Sequence, residues 1–337
     1  MRILKGAAIG AATLALGALV QAQPASAADC GTAKHITIAE MTWLSAGTLA
    51  HVAQHIMNDG YGCSAELVPG DTVPTATSML TRDQPTVAPE LWTSTAQSIW
   101  DKMMKKGNVY KANDIFASGG REGWWIPDYV AKDHPEIKSV TDLNANWKVF
   151  AEAANPDQGR FYGCPPGWGC EIITNNLFKA LHLGDHYELF SPGSGQNLKA
   201  SIARAVTRHK PIVAYYWGPT AVIAKYKLVR LDMPEYDPKK FKCLTDPNCA
   251  DPQVTGWAPG EVAVAVVATL KKEAPDVADF LSKMQVPNEK INEVLAWGDE
   301  NRASPEETAV HFLKNYGDIW TKWVPGDVAD KVRGGLS

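Results

Sequence analysis

Hydrophobic and polar positions along this chain switch repeatedly between a period of two residues and a period near 3.6. The stretch HITIA, residues 35–39, alternates like a β-strand, and TLAHVAQHIMNDGYG, residues 48–62, then follows a helical period and ends at glycine. The predicted elements of this first part are strands at 35–39, 65–70 and 86–92 and helices at 48–62, 72–83 and 93–107. Strands that alternate with helices in this way predict an α/β architecture with a largely parallel sheet.

The segment ASGGREGWWIPDYV, residues 117–130, interrupts the alternation with paired glycines and a proline, which predicts a crossover between two domains. A second α/β set follows. Its predicted elements are strands at 147–153 and 211–217, a strand with a glycine turn at 186–195, and helices at 170–184 and 197–210. A return crossover is expected at 221–235, after which GEVAVAVVATL and two C-terminal helices rejoin the first domain.

Two α/β lobes joined by two crossovers form a clamshell. The predicted lobe 1 comprises residues 29–119 and 233–337, and the predicted lobe 2 comprises residues 120–232. Ligands of such folds bind at the carboxyl ends of the strands, beside the N-terminus of the next helix. The ligand cleft is therefore expected between the lobes.

The N-terminus has the three parts of a secretory signal peptide. MRILKG is basic, AAIGAATLALGALV is apolar, and QAQPASAAD ends in small residues, so cleavage is expected near Ala27 or Ala28. The alternative is a membrane anchor, but the apolar run is short for a spanning helix. Cys30 follows Asp29, which argues against lipid attachment. The predicted location is the periplasm.

The net charge of the chain limits the kinds of partner that it can bind. It is −4 for the whole chain, and removal of Arg2 and Lys5 with the leader changes it to −4 − 2 = −6. This balance provides no basic patch for nucleic acid and no anchor for an anionic membrane surface. We expect a monomer with no cofactor and no resident metal.

All six cysteines lie after the predicted leader, and an even count in an exported chain is typical of disulfides. Six cysteines allow fifteen connectivities. Their spacing favours two local loops, Cys164–Cys170 and Cys243–Cys249, with Cys30–Cys63 as the remaining pair. A zinc site is the alternative, but no C-x-x-C and no nearby histidine complete a tetrahedral set.

Tryptophans recur where predicted strands end. AEMTW ends in Trp43, APELW in Trp92 and PIVAYYW in Trp217, while Trp168 lies in the loop CPPGWGC just before a helix. Any one of them could be an ordinary core residue. Four at equivalent positions indicate a cage for a methylated cation, because an indole face attracts such a cation and desolvates its methyl groups.

The loop CPPGWGC, residues 164–170, combines a disulfide, two prolines and a tryptophan. We expect it to fix the Trp168 indole before ligand arrives. Since a helix follows directly, the N–H groups of Gly169 and Cys170 can face an anion. The Trp168 indole would thus hold the cationic end of a zwitterion, and the two N–H groups of the same segment would hold its anionic end. The alternative is a loop that is cross-linked for stability only.

CPPGWGC, AYYWGPT, APELW and GWWIPDY together resemble the glycine betaine/proline betaine substrate-binding proteins of ABC importers, the OpuAC/ProX-like family. The resemblance extends from about residue 36 to residue 323. It implies a type II periplasmic-binding-protein fold, an aromatic cage, and delivery of ligand to an inner-membrane ABC permease with its ATPase. Trp92, Trp168 and Trp217 match the cage positions of the family. Trp43, Trp124 and Trp125 are added on position alone.

One departure from the family leaves the ligand open. Relatives that hold a carboxylate often have a polar or basic group about one turn after the Trp92 position, where WTSTAQ provides Ala96. Glu90 lies two residues before Trp92 and so shares its strand face. A carboxylate directed into the cage would favour choline, trimethylamine N-oxide or dimethylsulfoniopropionate as competitors to glycine betaine. The alternative for Glu90 is a solvated or ion-paired side chain.

Other function classes have weaker support. HVAQH lacks the glutamate of a zinc protease, and SPGSGQN lacks the G-x-S-x-G pattern of a hydrolase, so an exported α/β enzyme is the less favoured interpretation. A chemosensory binding protein with the same cleft stays open, because only its receptor partner would differ.

Overall fold

The computed structural model describes residues 28–336. The predicted signal peptide therefore lies outside the described residues, except for Ala28. Within the described residues, no helix has the combination of length and apolar character that crossing a membrane requires.

The described strands form two sheets. They are β1 (Ile36–Met41), β2 (Ala65–Gly70), β3 (Val87–Trp92), β4 (Val109–Asp114), β5 (Arg121–Pro127), β6 (Ala151–Glu152), β7 (Asn155–Tyr162), β8 (Tyr187–Phe190), β9 (Val213–Gly218), β10 (Leu228–Arg230) and β11 (Val262–Val267). The first sheet has the order β2-β1-β3-β11-β4. The second has the order β10-β5-β9-β7-β6, with β8 paired to β7.

Helices surround both sheets. They are α1 (Leu44–His55), α2 (Thr72–Arg82), α3 (Gln97–Lys106), α4 (Asp128–Asp133), α5 (Gly169–Ala180), α6 (Gly195–Thr207), α7 (Ala221–Lys225), α8 (Pro238–Leu244), α9 (Leu270–Glu273), α10 (Pro275–Lys283), α11 (Asn288–Asn301), α12 (Pro305–Asn315), α13 (Gly317–Trp320) and α14 (Gly326–Gly335). A π-helical segment, Ile56–Gly60, continues α1, and 3-10 segments occur at Val140–Asp142, Asn144–Phe150 and Leu183–Asp185.

The central strands of the first sheet are apolar runs that are buried along their whole length. Every residue of β3 and β11 is buried, as expected for strands covered by helices on both faces. β1 is parallel to β2 and β3, whereas β11 is antiparallel to β3 and β4. The expectation of a largely parallel sheet is therefore wrong. The first sheet is mixed because β11 enters it antiparallel to its neighbours, and the second is mixed because β9 is antiparallel to β5 and parallel to β7.

Several element predictions need correction. Residues 147–153, predicted as a strand, are mostly the 3-10 segment Asn144–Phe150, and only the two residues of β6 are extended. The strands β4 and β7 were not predicted, since VYKAND and NPDQGRFY carry too many polar residues for a clear alternation. The chain after residue 274 forms the five helices α10 to α14 rather than two.

The two links between the sheets meet at a pair of glycines. The N–H of Gly120 donates to the carbonyl of Gly260 over 2.7 Å, and a Cβ atom on Gly260 would lie 2.1 Å from the carbonyl oxygen of Gly120. Glycine is required there, because no side chain fits between the backbones.

Both predicted crossovers are misplaced in part. Much of residues 117–130 is strand β5, and residues 221–235 still contribute α7 and β10 to the second sheet. The return link runs from β10 to β11. The lobe limits near residues 120 and 232 stay a prediction.

Three disulfides connect the predicted partners. They join Cys30 to Cys63, Cys164 to Cys170 and Cys243 to Cys249, with Cα–Cα distances of 5.2, 5.8 and 5.2 Å. The second of these closes the loop that precedes α5, so the position of Trp168 is tied to the start of that helix.

Candidate ligand-binding site

Four tryptophans from four separate segments line one cavity. Trp43 precedes α1, Trp92 ends β3, Trp168 precedes α5, and Trp217 lies near the end of β9. Each indole is less than a tenth exposed. The four tryptophans that the sequence singles out therefore line one cavity, and their role in ligand binding stays a prediction.

The rings meet at steep angles, as the walls of a box do. The centroid of Trp168 lies 5.0 Å from that of Trp43, with 69° between the planes, and 4.9 Å from that of Trp217, with 85° between the planes. Tyr216 stacks on Trp217 at 4.5 Å. These contacts hold the rings as fixed surfaces, which lowers the ordering cost of binding.

Trp168 also connects the two sides of the cavity. Its indole N–H donates to Asp71 Oδ1 over 3.0 Å and to Thr42 Oγ1 over 3.1 Å, and both acceptors belong to loops of the first sheet. The N–H of Val73 donates to the carbonyl of Gly167 over 3.1 Å. These bonds join segments that belong to the two sheets, so they hold the two sides of the cavity together.

Glu122 is a polar side chain that lines the cavity and that no sequence pattern indicated. It lies on β5 directly opposite Trp217 of β9 and lines the cavity. Tyr215 donates to Glu122 Oε1 over 2.6 Å. Burial raises the pKa of this carboxyl to about 8, and the hydrogen bond from Tyr215 offsets only part of that rise. Glu122 is therefore mostly neutral at pH 7 and can donate a hydrogen bond.

Glu90 is not among the residues that line the cavity. It lies at the edges of two indoles, where Trp43 Nε1 donates to Glu90 Oε1 over 2.6 Å and Trp92 Nε1 donates to the same oxygen over 3.0 Å. Neither alternative from the sequence describes it, because it is 1% exposed and has no ion-pair partner among residues 28–336. Glu90 therefore contacts the N–H edges of two indole rings and does not line the cavity itself.

The N-terminus of α5 faces the cavity. Gly169 and Cys170 both line it, and their N–H groups have no hydrogen-bond acceptor in the described part of the chain. Free amides at a helix N-terminus favour an oxygen atom with partial or full negative charge. The residues that line the cavity include no lysine, arginine or histidine.

Trp124 and Trp125 do not belong to the cavity. Trp124 is fully buried against Phe161, with ring centroids 4.5 Å apart, and Trp125 donates its indole N–H to the carbonyl of Tyr216 over 3.0 Å. Neither lines the cavity, so their assignment to the cage was wrong. They lie inside β5, away from its end, which explains the difference from the four tryptophans that line the cavity.

Gly169 marks a close approach between the two sides. A Cβ atom there would lie 2.6 Å from Thr95 Oγ1 and 2.7 Å from the Thr95 carbonyl oxygen. We expect Gly169→Ala to weaken ligand binding by roughly tenfold or more, because the clash arises only when the two sides meet. Isothermal titration calorimetry measures the loss.

Gly184→Ala is the matched control, since nothing lies within 4 Å of the added Cβ. The melting temperature of the ligand-free Gly169→Ala protein should stay close to that of wild type. Wild-type affinity in that variant would show that the Thr95 contact plays no part in closure.

A family model described as the substrate binding domain of the ABC-type glycine betaine transport system, OpuAC, matches residues 34–315. The chain is 24% identical over 249 residues to the glycine betaine/proline betaine-binding periplasmic protein of Escherichia coli, covering 69% of this chain and 72% of that protein. It is 29% identical over 125 residues to the protein of the same description from Salmonella typhimurium, covering 33% of this chain and 34% of that protein.

Solved structures share the fold. A choline binding protein of an ABC transporter, in complex with choline, superposes with a TM-score of 0.72 at 20% identity, covering 90% of this chain and 98% of that chain. Lactococcal OpuAC in its closed form with glycine betaine superposes with a TM-score of 0.66 at 20% identity, covering 87% of this chain and 100% of that chain. The α/β clamshell of two lobes that the sequence predicts is therefore present.

Proposed function

Because the chain belongs to the family of substrate-binding domains of ABC-type glycine betaine transport systems, we propose that it is the exported binding component of an ABC importer for a small methylated ammonium compound. It captures this ligand in the periplasm and delivers it to a membrane permease that an ATPase drives. The family is one of binding components rather than enzymes, which supports binding over catalysis as its role.

The observation that carries the proposal is the convergence of four indoles on one small cavity. A trimethylammonium group cannot donate N–H hydrogen bonds, and its charge is spread over its methyl surface. Indole faces suit it because they carry negative quadrupole density and are apolar. Each dry contact is worth about 2 kcal/mol, so three or four walls supply roughly 6–8 kcal/mol, the scale of micromolar binding.

The polar groups that line the cavity narrow the choice of ligand. Donors are available there from Gly169 N–H, Cys170 N–H and the neutral carboxyl of Glu122. No cationic side chain lines the cavity, and the carboxyl of Glu90 is bonded to two of its indole walls, so a full carboxylate on the ligand meets less favourable electrostatics than a hydroxyl or an N-oxide. We therefore rank trimethylamine N-oxide and choline above glycine betaine and dimethylsulfoniopropionate.

Glycine betaine is the second candidate, and a specific observation favours it. The unpaired amides at the start of α5 have the geometry that accommodates a carboxylate at a helix N-terminus. The ranking depends on whether those two amides outweigh the negative charge of Glu90.

The test is calorimetric titration of the purified mature protein with each of the four ligands at about pH 7. We expect micromolar or tighter binding of at least one, with trimethylamine N-oxide or choline ahead of glycine betaine. The uncharged carbon analogue of choline, 3,3-dimethylbutan-1-ol, is the control and should bind far more weakly. Equal binding of choline and this analogue would contradict a cation cage, and no binding of any of the four would contradict the proposed function.

A further inference from the structure

Three hydrogen-bond donors converge on a single oxygen of Glu90. Trp43 Nε1 lies 2.6 Å from Glu90 Oε1, Trp92 Nε1 lies 3.0 Å from it, and Ser45 Oγ lies 3.0 Å from it. The other carboxyl oxygen, Oε2, is buried and has no hydrogen-bond partner among the residues that the structure describes. This side chain thus bonds to two walls of the cavity without lining it.

Such a carboxyl is costly to bury. No lysine, arginine or histidine within residues 28–336 pairs with Glu90, so no ion pair offsets its desolvation. Burial raises its pKa to about 7, while the three donors act in the opposite direction. The carboxyl is therefore mostly ionised slightly above neutral pH. A buried negative charge without a protein cation next to a cavity indicates that the missing partner is a ligand.

We propose that Glu90 is a positioning residue that fixes the Trp43 and Trp92 rings through their indole N–H groups, and that its charge makes these two walls selective for a cation. This inference rests on the proposed function and deepens it. An indole N–H lies in the plane of its ring, so a bond to a fixed oxygen limits ring rotation. A carboxylate that accepts this bond also polarises the ring, which strengthens its attraction for a cation.

The two actions of Glu90 can be separated by two substitutions. Glu90→Gln keeps an acceptor oxygen and nearly the same volume but removes the charge, whereas Glu90→Ala removes both the acceptor and the charge. Glu289→Gln is the matched control, because Glu289 is exposed on α11 and takes no part in the cavity. Tetramethylammonium is the probe ligand, since it carries the cation without any oxygen atom.

Ring position is measured first, by near-ultraviolet circular dichroism of the ligand-free proteins. We expect Glu90→Gln and Glu289→Gln to keep the wild-type spectrum and Glu90→Ala to change it. A wild-type spectrum for Glu90→Ala would overturn the positioning role. This readout needs no ligand, so it stands even when the proposed function fails in calorimetry.

Charge is measured second, by titration with tetramethylammonium at about pH 8, where Glu90 is mostly ionised. We expect Glu90→Gln to weaken tetramethylammonium binding by roughly tenfold and to leave the binding of 3,3-dimethylbutan-1-ol unchanged. Equal losses for both ligands, or no loss for either, would overturn the charge role.

A second pair of variants covers the case in which Glu90→Ala does not fold. Trp43→Phe and Trp92→Phe keep an aromatic face but remove the N–H that Glu90 accepts. Combined with Glu90→Gln in double-mutant cycles, they should give non-additive losses of tetramethylammonium affinity, because Gln removes the charge and Phe removes the N–H of the same charge-assisted hydrogen bond. Additive losses in both cycles would overturn the coupling between Glu90 and the rings.

Discussion

Replacement of Trp168 by alanine is expected to weaken binding of the cationic ligand by roughly 100-fold while the protein stays folded. The indole forms one wall of the cavity, and its ring centroid lies 5.0 Å from that of Trp43 and 4.9 Å from that of Trp217. Its removal therefore exposes the cavity to water. It also donates to Asp71 across the cavity. A lost dry cation–π contact of about 2 kcal/mol, together with the lost closure bond, accounts for this factor.

Calorimetry with the preferred ligand measures the loss, and thermal melting of the ligand-free protein checks the fold. Trp147→Ala is the matched control, because Trp147 stacks on His186 at 5.9 Å and does not line the cavity. Trp168→Phe should retain part of the affinity, since it keeps a ring face but loses the N–H. Unchanged affinity in Trp168→Ala would remove the basis for the cage.

Ligand affinity is expected to depend on pH through Glu122, with opposite signs for two ligands. The pKa of this carboxyl is raised to about 8, so it is neutral and donating below that pH and negatively charged above it. Trimethylamine N-oxide needs the donor and should bind about tenfold more weakly for each pH unit above 8. Choline carries a positive charge and a hydroxyl donor, so its affinity should rise over the same range.

Glu122→Gln provides the control for this titration, because the amide keeps a donor and does not ionise. In that variant, both pH dependences between about pH 7 and about pH 9.5 should shrink to the part that Glu90 contributes. The same slope in wild type and Glu122→Gln would assign the titration to another group.

The stability of the ligand-free protein provides a second check on Glu122. The pKa is raised from its ordinary value of 4.5, so the stability that the neutral carboxyl contributes is fully present below about pH 4.5 and is lost as pH rises through about 8. The melting temperature of wild type relative to Glu122→Gln should therefore decrease as the pH rises from about 4.5 to about 8. A constant difference over this range would contradict a buried, titrating carboxyl.

The local sequence was sufficient for the elements and covalent links that depend on neighbouring residues. The strand AELVPG and the helix start at Gly169 follow from periodicity and turn residues, which act over a few positions. The pairing of Cys164 with Cys170 follows from their separation of 6 residues, which favours a local loop. The polar strand NPDQGRFY was missed because it is held by its neighbours β6, β8 and β9 rather than by an alternation of its own.

By itself, the sequence determined that four tryptophans stand at strand ends or directly before helices, and hence that they can share one face of a clamshell. Only the tertiary structure decided which polar groups accompany them. Glu122 reaches the cavity because β5 runs antiparallel to β9, which brings the start of one strand beside the end of the other. Glu90 accepts hydrogen bonds from the indole N–H groups of Trp43 and Trp92 and does not line the cavity. Periodicity assigns a side chain to a face, whereas long-range packing determines whether a ligand or another side chain meets it there.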